Sequence, residues 1–124
     1  MNPKEHTVAV LGASPKEDRY SNRAIRLLKS KEYTTIPIHP KIEIIEDLPV
    51  IHSLGDIQSK VDTLTLYVGP ERLQSMVDEI VALKPGRVIF NPGTESEFLQ
   101  SRLRDENIPF VQACTLVMLQ TNQF

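Results

Sequence analysis

Short stretches of this chain carry residue types suited to holding a phosphorylated ligand. Gly12-Ala13-Ser14-Pro15 joins a turn-forming residue to a hydroxyl, and Lys16 and Arg19 follow closely. Gly12 permits a tight turn that brings main chain near a phosphate, and a helix starting around Ser21 and Asn22 would aim free N–H groups at the same place. Against the pattern G-x-G-x-x-G, Ser14 and Glu17 stand where the second and third glycines belong, so the match is partial. A plain strand-to-helix turn is the competing reading. Such a connection needs only about two to six residues, whereas Ala13–Tyr20 is longer and strongly polar.

The next informative stretch is His39-Pro40-Lys41. Dinucleotide folds that accept an unphosphorylated ribose place a carboxylate about 20 residues past the glycines. Here a lysine occupies that region, and Glu43 comes too late in the chain. A cation suits a cofactor with an extra ribose phosphate, which describes both NADP (2′) and coenzyme A (3′). A solvated turn lysine is the plainer alternative for Lys41, and His39 alone reads as a structural hydrogen-bonder. Cys114 is the one candidate nucleophile, but no histidine pattern accompanies it. It reads as a small buried hydrophobe, with a mixed disulfide to CoA as the alternative. Glu46-Asp47 reads as solvent-facing charge, no metal-ligand spacing links the histidines to the cysteine, and no catalytic set emerges.

These residues need a scaffold, and the chain supplies one by alternating short β-branched runs with amphipathic ones. Thr7–Leu11 predicts a buried first strand. Ser21 predicts the N-cap of a helix through about Lys31, with Ile25 and Leu28 inward. Thr34–Ile38 predicts a second strand despite Pro37, which removes a ladder donor. A short strand near Pro49–Ile51 and a brief helix from Gly55 or Asp56 follow. Val61–Val68 predicts a strand, Glu71–Leu83 one continuous helix, Arg87–Phe90 a strand, Glu95–Glu106 a helix, Ile108–Val111 the last strand and Thr115–Leu119 a helical turn. The fold expected is α/β: a single doubly wound, mainly parallel Rossmann-like sheet with helices on both faces, in one domain over residues 1–124. Ligands on such sheets bind beyond the carboxyl ends of the strands, where all the stretches above fall.

Composition agrees. With 124 residues, 40% hydrophobic and 24% charged, the chain is an ordinary globular domain. It can bury roughly two-thirds of its unfolded surface. A net charge of −2 with scattered Lys and Arg gives no footprint for nucleic acid. The polar start, the single cysteine and the lack of a long apolar run predict a cytoplasmic protein without signal peptide or membrane span.

Gly12-Ala13-Ser14-Pro15, Arg19-Tyr20-Ser21-Asn22-Arg23, His39-Pro40-Lys41 and Asn91-Pro92-Gly93-Thr94-Glu95 together resemble the small bacterial CoA-binding proteins. These are stand-alone relatives of the N-terminal domain of the succinyl-CoA synthetase α subunit. Ser53-Leu54, Asp56-Ile57 and the run Cys114–Leu119 also resemble that family, so the likeness extends from about Thr7 to Met118. It implies CoA or acyl-CoA as ligand and a carrier, sensor or partner subunit without chemistry of its own. An NADP-binding redox enzyme or sensor is the alternative. By resemblance, Gly12, Ala13, Ser14 and Pro15 surround the pyrophosphate, and Arg19 and Ser21 border it. Pro40 and Lys41 lie at the phosphorylated ribose, Val68, Gly69 and Pro70 near the adenosine, and Asn91, Pro92 and Gly93 toward the pantetheine arm. His39 departs from the Asn usual before Pro-Lys. The synthetase's phosphohistidine has no counterpart in the contexts of His6, His39 or His52. A homodimer or an unidentified protein partner stays open.

Overall fold

The computed structural model describes residues 2–124. Successive residues of a strand point to opposite faces, and the first strand, β1 (Thr7–Leu11), is apolar on both. Val8 and Val10 pack on one side with Ile25 and Leu28. Ala9 and Leu11 pack on the other with Leu64, Leu66 and Val88. A layer of helices must therefore cover each side.

After β1 come α1 (Tyr20–Ser30), β2 (Thr34–Ile38) and a small hairpin, β3 (Ile44–Ile45) with β4 (Leu48–Pro49). The chain continues through β5 (Thr63–Leu66), α2 (Pro70–Gln74), α3 (Val77–Leu83), β6 (Arg87–Phe90), α4 (Glu97–Asp105), β7 (Phe110–Gln112) and α5 (Thr115–Gln120). The main sheet has the order β2-β1-β5-β6-β7, and every neighbouring pair is parallel. Helices α1 and α5 pack together on one face, where Leu28 and Leu119 sit in the core. Helices α2, α3 and α4 bury Leu73, Ile80, Leu99 and Leu103 against the other. The chain runs outward from β1 to β2, then returns across β1 to β5. That reversal makes a crevice between the carboxyl ends of β1 and β5.

Several elements depart from the sequence expectation, each for a local reason. Helix α1 starts at Tyr20 with Arg19 as its N-cap, so Ser21 lies inside the first turn rather than capping it. The stretch Glu71–Leu83 is two helices, not one. The Ser75 hydroxyl donates to the Arg72 carbonyl at 2.9 Å, and Met76 N–H closes a tight turn onto Leu73. Glu46 and Asp47 both adopt positive φ, 50° and 64°, and form the two-residue turn of the β3–β4 hairpin. Glu46 is consequently not a free surface charge: its Oε2 accepts from Asn22 Nδ2 at 3.1 Å, and its carbonyl accepts from Lys29 Nζ at 2.6 Å. Pro37 is tolerated because β2 is an edge strand of the main sheet. Its carbonyl faces outward to Ile51 N–H, so the missing donor also faces away from β1.

Candidate functional site

Gly12 ends β1 at φ +88°, a left-handed conformation that favours glycine. A Cβ there would stand 2.8 Å from the Tyr67 carbonyl oxygen and 2.9 Å from Val68 Cγ2. The turn is thereby pressed onto the end of β5. Ala13 N–H donates to the Ile38 carbonyl at 3.1 Å, tying the same turn to β2. Ser14 Oγ accepts from Lys16 N–H at 3.1 Å, and Asn22 Nδ2 donates to the Ser14 carbonyl at 2.9 Å, so the loop folds back over the start of α1. Asn22 is fully buried and also accepts from Arg26 Nε at 2.8 Å.

The start of α1 is left open. Arg19 makes no side-chain cap, and the first turn holds no acidic residue. Among the described residues no acceptor meets the N–H groups of Tyr20, Ser21 and Asn22. Helix α4 shows the contrast, since Ser96 Oγ accepts from Leu99 N–H at 3.1 Å. Three unpaired amides and the positive end of the helix dipole make the start of α1 suited to an anion. Gly12, Ser14, Arg19, Tyr20, Ser21 and Tyr67 line an open cavity of about 230 Å³ there. Ser21 is 4% exposed, and its hydroxyl has no partner within the described chain.

At the end of β2, His39 N–H donates to the Ile51 carbonyl, while its Nδ1 accepts from Lys41 N–H at 3.0 Å and from Ile42 N–H at 3.1 Å. The imidazole thus does what an Asn carbonyl does in an Asx turn, which is how this sequence accommodates its departure from Asn-Pro-Lys. Pro40 and Lys41 are exposed, and no ion pair holds the Lys41 ammonium among the described residues.

Beyond β6, Asn91 is 3% exposed and fully engaged. Its Nδ2 donates to Thr65 Oγ1 at 2.7 Å and to the Leu66 carbonyl at 2.8 Å, and its Oδ1 accepts from Thr115 N–H at 2.9 Å. It therefore clamps β5, β6 and α5 at one end of the sheet. Gly93 has φ +93° and donates its N–H to Glu95 Oε1 at 2.9 Å. Gly69 caps α2, and Pro70 opens it.

Tyr20, Tyr67, Asn91, Pro92, Cys114 and Leu116 line a second cavity of about 220 Å³, which shares both tyrosines with the first. Burial pushes the Tyr67 phenol up to about 12, although the hydroxyls of Thr115 and Thr65 draw it partly back. It is a neutral hydroxyl at physiological pH. Cys114 is half-buried and caps α5.

The fold therefore brings Gly12, Ser14, Arg19 and Ser21 into one cavity and Asn91 and Pro92 into its neighbour. Val68 packs beside Gly12, and Lys41 stands apart at the adjoining strand end. Tyr20 and Tyr67, which join the cavities, were given no role from the sequence. Tyr20 lies within the Arg19–Arg23 stretch, and Tyr67 directly follows the buried strand β5, which was the available signal. Among the described residues no group of three or more His, Cys, Asp or Glu could hold a metal, and no helix is long and apolar enough to cross a membrane.

A parallel sheet with its crevice at β1/β5, opened by an uncapped helix, defines a doubly wound α/β domain of the Rossmann-like kind. The family model described as "CoA binding domain" matches residues 6–120. The chain belongs to that family. A crystal structure of an uncharacterized protein superposes with a TM-score of 0.90 at 40% identity, covering 96% of this chain and 98% of the other. The Bacillus subtilis protein YneT is 26% identical over 74 residues, a match to 60% of this chain that spans 55% of its own length. The dinucleotide-forming acetyl-coenzyme A synthetase 1 of Candidatus Korarchaeum cryptofilum superposes at a TM-score of 0.76 and 19% identity. Its match takes in 90% of this chain but 26% of the synthetase, and at that identity the likeness is one of fold.

Proposed function

We propose that this chain binds coenzyme A or an acyl-CoA at the crevice between β1 and β5, acting as a carrier, sensor or partner subunit without catalysis of its own. The observation that carries the proposal is the open start of α1: three N–H groups without acceptors, no acid in the first turn, and Gly12 folded tightly against β5. Such a cradle suits the pyrophosphate. Ala13, Ser14 and Pro15 complete the loop around it, and Arg19 with Ser21 borders it. Lys41, with Pro40, faces the 3′-phosphate as a cation that no ion pair holds among the described residues. Val68, Gly69 and Pro70 flank the adenosine, and Asn91, Pro92 and Gly93 follow the pantetheine arm.

Titration calorimetry with CoA, dephospho-CoA and NADP tests this. CoA should bind more tightly than dephospho-CoA, and Lys41→Ala should remove most of that difference. The loss is on the order of 1.5–3 kcal/mol, the range for a hydrogen bond to a charged group. Equal affinity for CoA and dephospho-CoA refutes the 3′-phosphate contact. Heat from NADP alone would move the chain to the redox alternative, and no heat from any of the three ends the proposal.

A further inference from the structure

We infer that the cavity between Tyr67 and Cys114 receives the acyl end of a thioester, and that the acyl group it selects is short, uncharged and apolar. The inference rests on the CoA reading above and names the substrate class for the same site. The first ground is continuity. Tyr20 and Tyr67 line both this cavity and the one at the start of α1, so the pantetheine arm of a ligand held there by its phosphates has a continuous path along Asn91 and Pro92 that delivers the acyl end to the Cys114 side.

The second ground is the chemistry of the walls. Tyr67, Pro92, Leu116 and the small, weakly polar side chain of Cys114 present apolar surface. Asn91 is the one amide on the wall, and its hydrogen bonds are already directed at Thr65, Leu66 and Thr115. The hydroxyls of Thr65 and Thr115 are paired with each other at 2.8 Å, and Thr94 donates to the Asn91 carbonyl at 2.8 Å. No lysine or arginine lines the cavity. Arg19, next to Tyr20 in sequence, lines the neighbouring cavity at the start of α1, and Arg23 places its guanidinium 5.2 Å from the Tyr20 ring centroid and lines the groove between α1 and α5. A carboxylate-bearing acyl group would leave its charge without a partner here, whereas an alkyl group would lose only water.

The third ground is size. A cavity of about 220 Å³ that also meets the end of the pantetheine arm has room for a short acyl group and not for a fatty chain.

Calorimetry on the intact protein with CoA and its acetyl, propionyl, butyryl, octanoyl and succinyl thioesters tests the inference. Affinity should rise about fourfold per methylene from acetyl to butyryl. It should fall for octanoyl-CoA, and succinyl-CoA should bind at least about tenfold more weakly than butyryl-CoA. Cys114→Leu, which narrows the cavity, should reduce the gain from acetyl to butyryl by more than it weakens the binding of CoA itself. CoA binding with a flat acyl series, or with succinyl-CoA preferred over butyryl-CoA, overturns this inference and leaves the CoA reading standing. Absence of binding by CoA and every thioester overturns both. The wild-type series decides the matter even should Cys114→Leu prove unstable.

Discussion

Replacing Gly12 with alanine separates two costs that this turn combines. At φ +88° any Cβ is strained, by roughly 1–2 kcal/mol. The added methyl would also stand 2.8 Å from the Tyr67 carbonyl oxygen and 2.9 Å from Val68 Cγ2, so the turn must retreat from β5, an overpacking cost of about 1–3 kcal/mol. Together these predict a loss of about 2–5 kcal/mol. Two other glycines isolate the parts. Gly93 has φ +93° with nothing within 4 Å of a new Cβ, so Gly93→Ala should show the dihedral cost alone. Gly86 lacks a positive φ, but its Cβ would stand 2.7 Å from the Asp62 carbonyl oxygen, so Gly86→Ala should show the contact cost alone. Urea unfolding with unchanged m-values measures all three. Gly12→Ala should exceed either of the others and lie near their sum. A turn displaced from β5 also misdirects the amides of α1, so Gly12→Ala should weaken CoA binding by about tenfold to a hundredfold, the loss of one hydrogen bond to a charged group. Gly86→Ala, at the opposite end of the sheet, should leave CoA binding untouched. If Gly12→Ala costs no more than Gly93→Ala and binds CoA normally, the claim that β5 holds the loop in its binding form is wrong.

Asn91→Ala should destabilise the fold by about 2–6 kcal/mol, because it strands the buried Leu66 carbonyl and Thr115 N–H at roughly 1–3 kcal/mol each; a loss under 1 kcal/mol in urea would deny its clamping role. His39→Asn should keep stability within about 0.5 kcal/mol while His39→Ala loses about 1 kcal/mol, the worth of a side-chain acceptor at a turn. Equal stabilities for the two variants would show that Nδ1 does not hold the turn. His6 provides the pH test. Burial beside Tyr33 and Phe124 is the main cause lowering its pKa from 6.5, with Arg87 adding to it and Asp62 opposing. The unfolded chain therefore takes up the proton first as pH falls. The contribution of His6 should be complete above pH 6.5 and decline on acidification from there toward its lower folded value. His6→Gln should remove that part of the slope in thermal melts between about pH 7 and 5, and an identical slope in both proteins would contradict the assignment.

The class of fold and the position of the candidate loop were open to reading because each rests on local chemistry. Apolar β-branched runs such as Thr7–Leu11 form buried strands almost anywhere in such a chain. A glycine and a polar stretch after the first of them mark where a parallel sheet exposes its loop. The break between α2 and α3 was not legible, because Leu73, Met76, Val77 and Ile80 keep a helical period straight through it while a hydroxyl–carbonyl bond and a tight turn of the main chain interrupt the ladder. The capping role given to Ser21 failed for an instructive reason. Propensity ranks serine as a cap, yet the folded chain places Ser21 inside the first turn, uncapped, on the wall of the cavity.

What the sequence determined alone is therefore the alternation of strands and helices, the α/β class and the location of the glycine turn after the first strand. All of these follow from periodicity and turn chemistry within a few residues. Tertiary structure alone decided that Glu46 reaches Asn22, that His39 holds the turn before Lys41, and that Tyr20 and Tyr67 join two cavities into one path. Each depends on residues brought together across the sheet by packing, and no local pattern encodes a distance between them.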